Sequence, residues 1–269
     1  MKTPAAITIL IGLVILNICY TGYVHKQTTR QDSDIASLAS DSLWANYLDK
    51  NKTDLNGHIK KRIENFISSK ALAEIAEKYK PYENAAEVNL PPGRHIYGDL
   101  AAKFSLIEFT DTECPYCKKY HPKPKRLVDT SKQLLNWEIR HLPLPSHMPV
   151  AGKQAIAAEC VSKIKGNKAF WLFMDEIFYR TKGNGVGAGS INNIAESIGV
   201  SKTQLEECMK SSFPVQRVKS DVAYATANNI KTTPTTIIIN NETGKHVTLT
   251  GDQPVQALIS AIQRINSKL

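Results

Sequence analysis

The chain has 269 residues, 42% of them hydrophobic and 22% charged, with five cysteines and a formal net charge of +9. That length leaves room for a membrane segment, a connecting region and one domain with a full core, and the apolar content excludes a wholly disordered chain. The basic excess is neither gathered into one tail nor interleaved with aromatics, which speaks against a nucleic-acid partner.

Residues 4–24, Pro4 to Val24, are almost entirely apolar and follow Lys2. They read as a secretory signal or an uncleaved membrane anchor. The run Asn17-Ile18-Cys19-Tyr20-Thr21-Gly22-Tyr23 is a poor cleavage site, which favours the anchor, and bulky Ile18 argues against a lipid on Cys19. Either way the remainder is expected outside the cytosol, in a periplasm-like compartment where disulfides persist. Residues 25–34 are polar and read as a leash. Residues 35–80 read as helical. Asp34 caps a first segment carrying Ile35, Ala39, Leu43 and Tyr47, and Gly57 marks a break. A second segment carries Ile59, Ile63, Phe66, Ile67, Leu72, Ile75 and Tyr79 before Pro81 closes it. Its apolar stripe must be covered. It is either an oligomerisation arm that meets a second copy of the chain or an extra layer on its own domain. Asn89-Leu90-Pro91-Pro92-Gly93 is a linker, so 25–90 forms the arm and 91–269 the main domain.

That domain predicts strand, helix, strand, helical insertion, helix, strand, strand, helix. Phe104–Phe109 is a buried strand, and a helix runs from Tyr116 to about Leu135, kinked at Pro122 and Pro124. Trp137–Leu142 is a second strand. The insertion, about 148–211, holds helices over Ala155–Ile164, Ala169–Arg180, Ile191–Ile198 and Lys202–Lys210. Its glycine-rich piece, Gly183 to Gly189, reads as a flexible loop and not a phosphate cradle, since no strand precedes it and no Lys-Ser/Thr pair follows. A helix over 214–229 comes next. Thr235–Asn240 and His246–Thr250 form a hairpin about the turn Asn241–Gly244, and a last helix covers 254–267.

Between the first strand and its helix stands Cys114-Pro115-Tyr116-Cys117. A sulfur at a helix N-terminus meets unpaired N–H groups and the positive end of the macrodipole, so its thiolate is favoured. The second cysteine lies one turn on, in reach to close a small ring. The first can attack a disulfide, and the second can resolve the mixed disulfide. Zinc would need a second ligand pair, and none follows; haem attachment would need a histidine where Lys118 stands. No metal or cofactor is therefore expected. Seven Lys/Arg (118, 119, 123, 125, 126, 132, 140) stand in 118–140 against Asp129 and Glu138. They are either a positive field on the thiolate or a solvated helix face. Glu108, inside an apolar run, is either a buried acid with a raised pKa or an exposed edge residue. His121, one turn beyond Cys117, reads as a surface or packing residue. Cys160 and Cys208, each on an insertion helix, either pair or stay free in the core, and an oxidising compartment favours pairing.

Thr233-Pro234 enters the strand Thr235-Thr236-Ile237-Ile238-Ile239, where proline is unusual and a cis bond is one solution. With this proline, the CPYC after an apolar strand and the helical insertion, the chain resembles the thioredoxin superfamily. Glu108-Phe109-Thr110-Asp111-Thr112-Glu113-Cys114-Pro115-Tyr116-Cys117 and Ala157-Ala158-Glu159-Cys160 further resemble the DsbA family of thiol–disulfide oxidoreductases, over about residues 95–268. The resemblance implies a thioredoxin-like α/β fold with a helical insertion, here preceded by a membrane segment and a helical arm. It implies Cys114 as the exposed nucleophile, Cys117 as the buried resolving thiol, and Pro234 as a cis-proline packed against them. Thr233 would offer its backbone to an extended substrate, Glu108 would help deprotonate Cys117, and Pro115 and Tyr116 would tune the helix start. The family's strongest oxidants carry histidine in place of Tyr116, so a moderate potential is expected. The implied substrates are reduced or unfolded secreted proteins. An oxidase would need a DsbB-like membrane partner; an isomerase or reductase would need a DsbD-like donor. A third reading is a thioredoxin-fold adaptor or chaperone without catalysis.

Overall fold

The computed structural model describes residues 55–87 and 90–267. The leader, the leash and the first helical segment of the arm lie outside the described residues. Among the described residues no helix is long and apolar enough to cross a membrane. In chain order the elements are α1 (Leu55–Tyr79), a 3-10 turn (Lys80–Tyr82), β1 (His95–Gly98), β2 (Phe104–Thr110), α2 (Pro115–Tyr120), α3 (Pro122–Thr130), β3 (Leu135–His141), α4 (Val150–Lys165), α5 (Asn167–Arg180), α6 (Ile191–Glu196), α7 (Lys202–Lys210), α8 (Ser212–Ala227), β4 (Thr235–Asn240), β5 (His246–Thr250) and α9 (Val255–Asn266).

The chain divides into two units at Ser69–Lys70, within α1. In the first unit α1 passes through Gly57 without the expected break; a lone glycine costs a helix only about 1 kcal/mol relative to alanine. Ile59, Ile63, Phe66 and Ile67 are exposed along it. In the second unit Leu72 is exposed too, whereas the last turn of α1 is tied down. There Lys78 Nζ donates to Ser197 O and the Tyr79 hydroxyl to Ile198 O, both at 2.9 Å.

The second unit is built on a five-stranded sheet of order β1-β3-β2-β4-β5. β2 runs parallel to β3 and antiparallel to β4, and all seven of its residues are buried. A strand covered on both faces reads as a continuous apolar run, which is what 104–109 shows. Period two sorts its side chains. Phe104 and Leu106 join the main core with Trp137, Trp171, Phe170, Phe173 and Ile177, while Ile107 and Phe109 join a smaller cluster with Leu142, Ala225 and Ile230. The sheet is thereby a floor with α2, α4, α5 and α9 contributing to one core and α8 to the other.

Three local expectations need correction. Residues 95–98 form a strand ahead of Phe104–Phe109, with which the expected order of elements began, paired antiparallel to β3 from His95↔Ile139 to Gly98↔Asn136. Four residues are too few to show a period, and this strand exists through its partner. The helix after the dithiol does not run to Leu135. It breaks at His121, ahead of Pro122, and stops at Thr130, after which Lys132 and Gln133 adopt φ of 50° and 69° and turn the chain into β3. The glycine-rich loop is not loose: several of its backbone groups are bound. The hairpin and α7 lie where expected. α7 starts at a capping box between Ser201 and Gln204, a purely local signal.

Cys160 on α4 and Cys208 on α7 form a disulfide, with Cα atoms 5.7 Å apart and a sequence separation of 48. Closing so long a loop restricts the unfolded chain. The double variant Cys160→Ala/Cys208→Ala is expected to lose roughly 2–4 kcal/mol in denaturant unfolding. An unchanged unfolding midpoint would show that the bridge is energetically idle.

Candidate active site

β2 delivers the chain to the end of the sheet, and four residues later Cys114 caps α2 with φ −79° and ψ 120°. Pro115 follows at the first helical position, where the missing N–H costs nothing. The Cys114 carbonyl accepts from Lys118 N at 3.1 Å. Cys117 lies in the first turn, fully buried. Cys114 is the more accessible of the two but only 5% exposed, so the first sulfur is recessed, not openly solvent-facing as expected. The covering wall is the loop before β4. The Thr233–Pro234 bond is cis, and Cys114 Sγ lies 3.5 Å from Thr233 O. The two cysteines are present as free thiols.

The electrostatics of the two sulfurs diverge. A hydrogen bond from the Cys117 thiol, assisted by the backbone N–H groups of Cys117 and Tyr116 and by Thr233, lowers the Cys114 pKa to about 6 against the effect of burial. Burial pushes the Cys117 thiol well above its ordinary value, with the Cys114 hydrogen bond and the negative charges of Cys114 and Glu108 adding to it. One sulfur is thus poised as a thiolate near neutral pH, and the other keeps its proton. The basic run after the dithiol does not supply this. Lys118 donates to the carbonyls of Tyr179 and Thr181, Lys123 pairs with Asp252, Lys125 with Asp129, and Arg140 with Glu138. These four are tied to their neighbours, while Lys119, Arg126 and Lys132 are exposed, as a solvated face would have them.

Glu108 is central in the sheet, opposite Ile139 on β3 and Thr236 on β4, and has no exposure. It is not an edge residue. Trp137 Nε1 donates to its Oε2 at 3.0 Å. Burial raises its pKa to about 7, opposed by the charge of His121 and by the Trp137 donor. A carboxyl of that pKa can take or give a proton near neutrality. His121, expected at the surface or in packing, packs in the interior at the C-terminal cap of α2, where its backbone N–H donates to Cys117 O at 2.8 Å.

Two acidic residues of the segment leading to Cys114 organise the rim, and nothing in their spacing pointed to this. Asp111 accepts from Leu144 N at 2.7 Å and from His147 Nδ1 at 2.8 Å. Glu113, fully buried, accepts from Thr181 Oγ1 at 2.5 Å, Gln154 Nε2 at 2.8 Å and Gly187 N at 2.8 Å, and its carbonyl accepts from Asn184 N at 2.7 Å. The glycine-rich loop is therefore fastened to the residue beside the dithiol. A Cβ on Gly183 would come within 3.3 Å of Glu113 O and of Pro115, and Gly183 has φ +77°, so glycine is needed there.

A sheet with this order, a dithiol at a helix start and a cis-proline whose preceding carbonyl lies 3.5 Å from the first sulfur can be compared with known proteins. A family model described as Thioredoxin matches residues 88–259, well over half of the chain. The solved structure of Pseudomonas aeruginosa DsbA2 superposes with a TM-score of 0.61 at 38% identity, covering 67% of this chain and 98% of that one. The chain belongs to the thioredoxin superfamily, as a DsbA-like protein of the thiol–disulfide oxidoreductase type. Wolbachia pipientis α-DsbA1 shares the fold of this DsbA-like chain at 18% identity, with a TM-score of 0.55 over 66% of this chain and 93% of that one. Among curated sequences, the Na(+)/H(+) antiporter NhaA of Herminiimonas arsenicoxydans is 28% identical over 141 residues, 52% of this chain and 21% of the antiporter. The chain spans about a fifth to a quarter of the length of the curated relatives it matches.

Proposed function

We propose that this DsbA-like chain is an extracytoplasmic protein thiol–disulfide oxidoreductase that oxidises reduced secreted proteins. The observation that carries the reading is the split between the sulfurs: Cys114 held at about 6 beside Pro234, Cys117 buried and pushed upward. In the oxidised protein a substrate thiolate attacks Cys114 Sγ. The Cys114–Cys117 bond breaks and Cys117 leaves. A second substrate thiolate then attacks the substrate sulfur of the mixed disulfide, and Cys114 leaves as a thiolate. A low pKa makes Cys114 a good leaving group and stabilises the reduced protein, which favours oxidation of the substrate. With Tyr116 after Pro115 and a pKa of only about 6, the potential is moderate.

In this reading Cys114 is the reacting sulfur and Cys117 its internal partner. Glu108 holds and releases the Cys117 proton. Pro234 lies against the pair, Thr233 offers its backbone to an extended substrate segment, and Pro115 with exposed Tyr116 shapes the entrance. Re-oxidation falls to a DsbB-like membrane partner, and an N-terminal anchor in residues 1–24 would hold the domain beside it. The second reading is an isomerase or reductase kept reduced by a DsbD-like donor. The exposed Ile59, Ile63, Phe66 and Ile67 of α1 favour it, because an oligomerising arm would set two or more dithiols around one substrate.

Catalytic amounts of the protein are expected to reduce insulin with dithiothreitol and to refold reduced ribonuclease. Failure in both assays would remove the enzyme reading and leave an adaptor. Trapping the in-cell state of Cys114 separates the two enzymes: a mainly oxidised pair marks the oxidase, a mainly reduced pair the isomerase. The thiolate absorbance of Cys114 should rise with a midpoint near pH 6, and attack on a small disulfide should accelerate through the same range and level off above it, since an acid with a lowered pKa is ionised above that value. A midpoint near 9 would contradict the split.

A further inference from the structure

His121 and Asp175 play no part in the exchange chemistry above, yet a buried imidazole and a partly exposed carboxylate form a dyad one helical turn from Cys117. His121 Nε2 lies 2.5 Å from Asp175 Oδ1, on α5. The carboxylate fixes the proton on Nε2 and leaves the lone pair on Nδ1. That Nδ1 is buried and makes no hydrogen bond. Glu108 Oε1, beside Trp137, is equally buried and makes no hydrogen bond, although the Thr110 hydroxyl, itself unpaired, acts on the Glu108 carboxyl. The indole connects the two groups: its Nε1 holds Glu108 Oε2 at 3.0 Å, and its ring meets the His121 ring edge-on at 5.1 Å. When the ring carries both protons, its charge is the largest influence drawing the Glu108 pKa down against burial. A buried carboxyl and a buried imidazole that both contact one indole thus each keep an atom without a hydrogen bond, and such atoms in folded proteins nearly always have a partner.

We propose that His121, backed by Asp175, relays protons between Glu108 and solvent when Cys117 reacts. The relay rests on the oxidoreductase reading of the same site. When Cys117 resolves a mixed disulfide, its thiol gives its proton to the Glu108 carboxylate. The Cys117 thiolate attacks Cys114 Sγ, the Cys114–Cys117 bond forms, and the substrate sulfur leaves as a thiolate. Glu108 Oε1 then passes the proton to His121 Nδ1, over one water where the span requires it. The Nε2 proton leaves along Asp175, whose side chain is 32% exposed. The opposite half-reaction, in which Cys117 leaves and must be protonated, runs the path backwards and resets the ring. Asp175 stays ionised for this role. Burial raises its pKa, but hydrogen bonds from His121 and Tyr82 and the charge of Lys125 outweigh burial and hold it below the usual carboxylate value. The other faces of His121 are apolar, against Trp137 and Phe178. The charged groups acting on the dyad are therefore Glu108, Asp175 and Lys125, with the Tyr82 hydroxyl on Asp175 Oδ2.

The test separates the two steps in single-turnover kinetics on the full chain: formation of the mixed disulfide by Cys114, then its resolution by Cys117. His121→Phe keeps an aromatic in the pocket. It is expected to leave formation within about twofold of wild type and to slow resolution roughly tenfold, a modest share of what a positioned acid–base group contributes. The pH profile of resolution should change as well, rising with hydroxide to alkaline pH in place of levelling near the Glu108 value. Asp175→Asn, at a partly exposed position, should show the same pattern more weakly, and it decides the matter if His121→Phe does not fold. Resolution rates within about twofold of wild type across the pH range in a folded variant overturn the relay. A wild-type protein that forms no mixed disulfide at all overturns the exchange reading beneath it, and the relay with it.

Discussion

Cys114→Ser is expected to reduce disulfide exchange to the uncatalysed background, and Cys117→Ala to trap it half-way. Cys114 is the sulfur that substrate can reach: it is 5% exposed at the helix cap, while Cys117 has no exposure at all. A serine hydroxyl in that place has no accessible anion near neutral pH and cannot form the mixed disulfide, so no other residue of the site can take over its role. Cys117→Ala keeps the attack but removes the thiol that resolves it, so substrate should accumulate covalently on Cys114. Insulin reduction, together with non-reducing gels of the trapped species, reads both outcomes. Turnover by Cys114→Ser at a tenth of wild type or more would mean that Cys117 or another group reacts first, against the burial described above.

The second large effect lies away from the dithiol. Glu159→Ala is expected to destabilise the protein by about 3–5 kcal/mol, the usual cost of leaving buried charges without their partner. Glu159 on α4 is 1% exposed. Its Oε1 lies 3.0 Å from His95 Nε2 and 3.4 Å from His141 Nε2, and its Oε2 3.7 Å from Arg217 Nε. Asp221 adds a bond from His141 N at 3.1 Å and a contact with Arg217 at 3.4 Å. One carboxylate thus joins β1, β3 and α8 to α4. An exposed pair such as Arg180–Glu176 sets the scale for comparison, since breaking it should cost less than about 1 kcal/mol. Burial alone would raise the Glu159 pKa, but the charge of His95 and the hydrogen bonds of both histidines hold it far below the ordinary value of 4.5. A depressed carboxyl stabilises the fold above its unfolded pKa. This contribution is therefore complete above pH 4.5 and drains away as the pH falls below it. Urea midpoints of wild type and Glu159→Ala should converge toward acid pH. A constant gap between them would show that the loss is one of packing and not of charge.

Residues with local signals were legible from the chain. A proline at the first helical position after cysteine, the Ser201–Gln204 capping box and the β-branched run after Pro234 mark their structures through neighbours a few positions away. That is why α2, α7 and the β4–β5 hairpin begin where they do. An acid within an apolar run also pointed to Glu108, although two environments stayed open until β3 and β4 were seen on either side of it.

Interactions that depend on long separations were not legible. β1 becomes a strand because β3 lies beside it. Glu113 looks like a surface acid of the approach to the dithiol until Gln154, Thr181 and Gly187 close on it from the insertion. His121 could have lain at the surface or in packing, and Phe178 and Trp137 decide for packing. Local backbone preference is set within a turn or two of chain, so the sequence by itself determined most of the helices and strands, though not β1 or the end of the helix after the dithiol, and where the two sulfurs stand along the chain. Charge and burial at a side chain are set by whatever the fold brings within a few ångströms, so only the tertiary structure decided how recessed Cys114 is, what lowers its pKa, and which polar groups share its core.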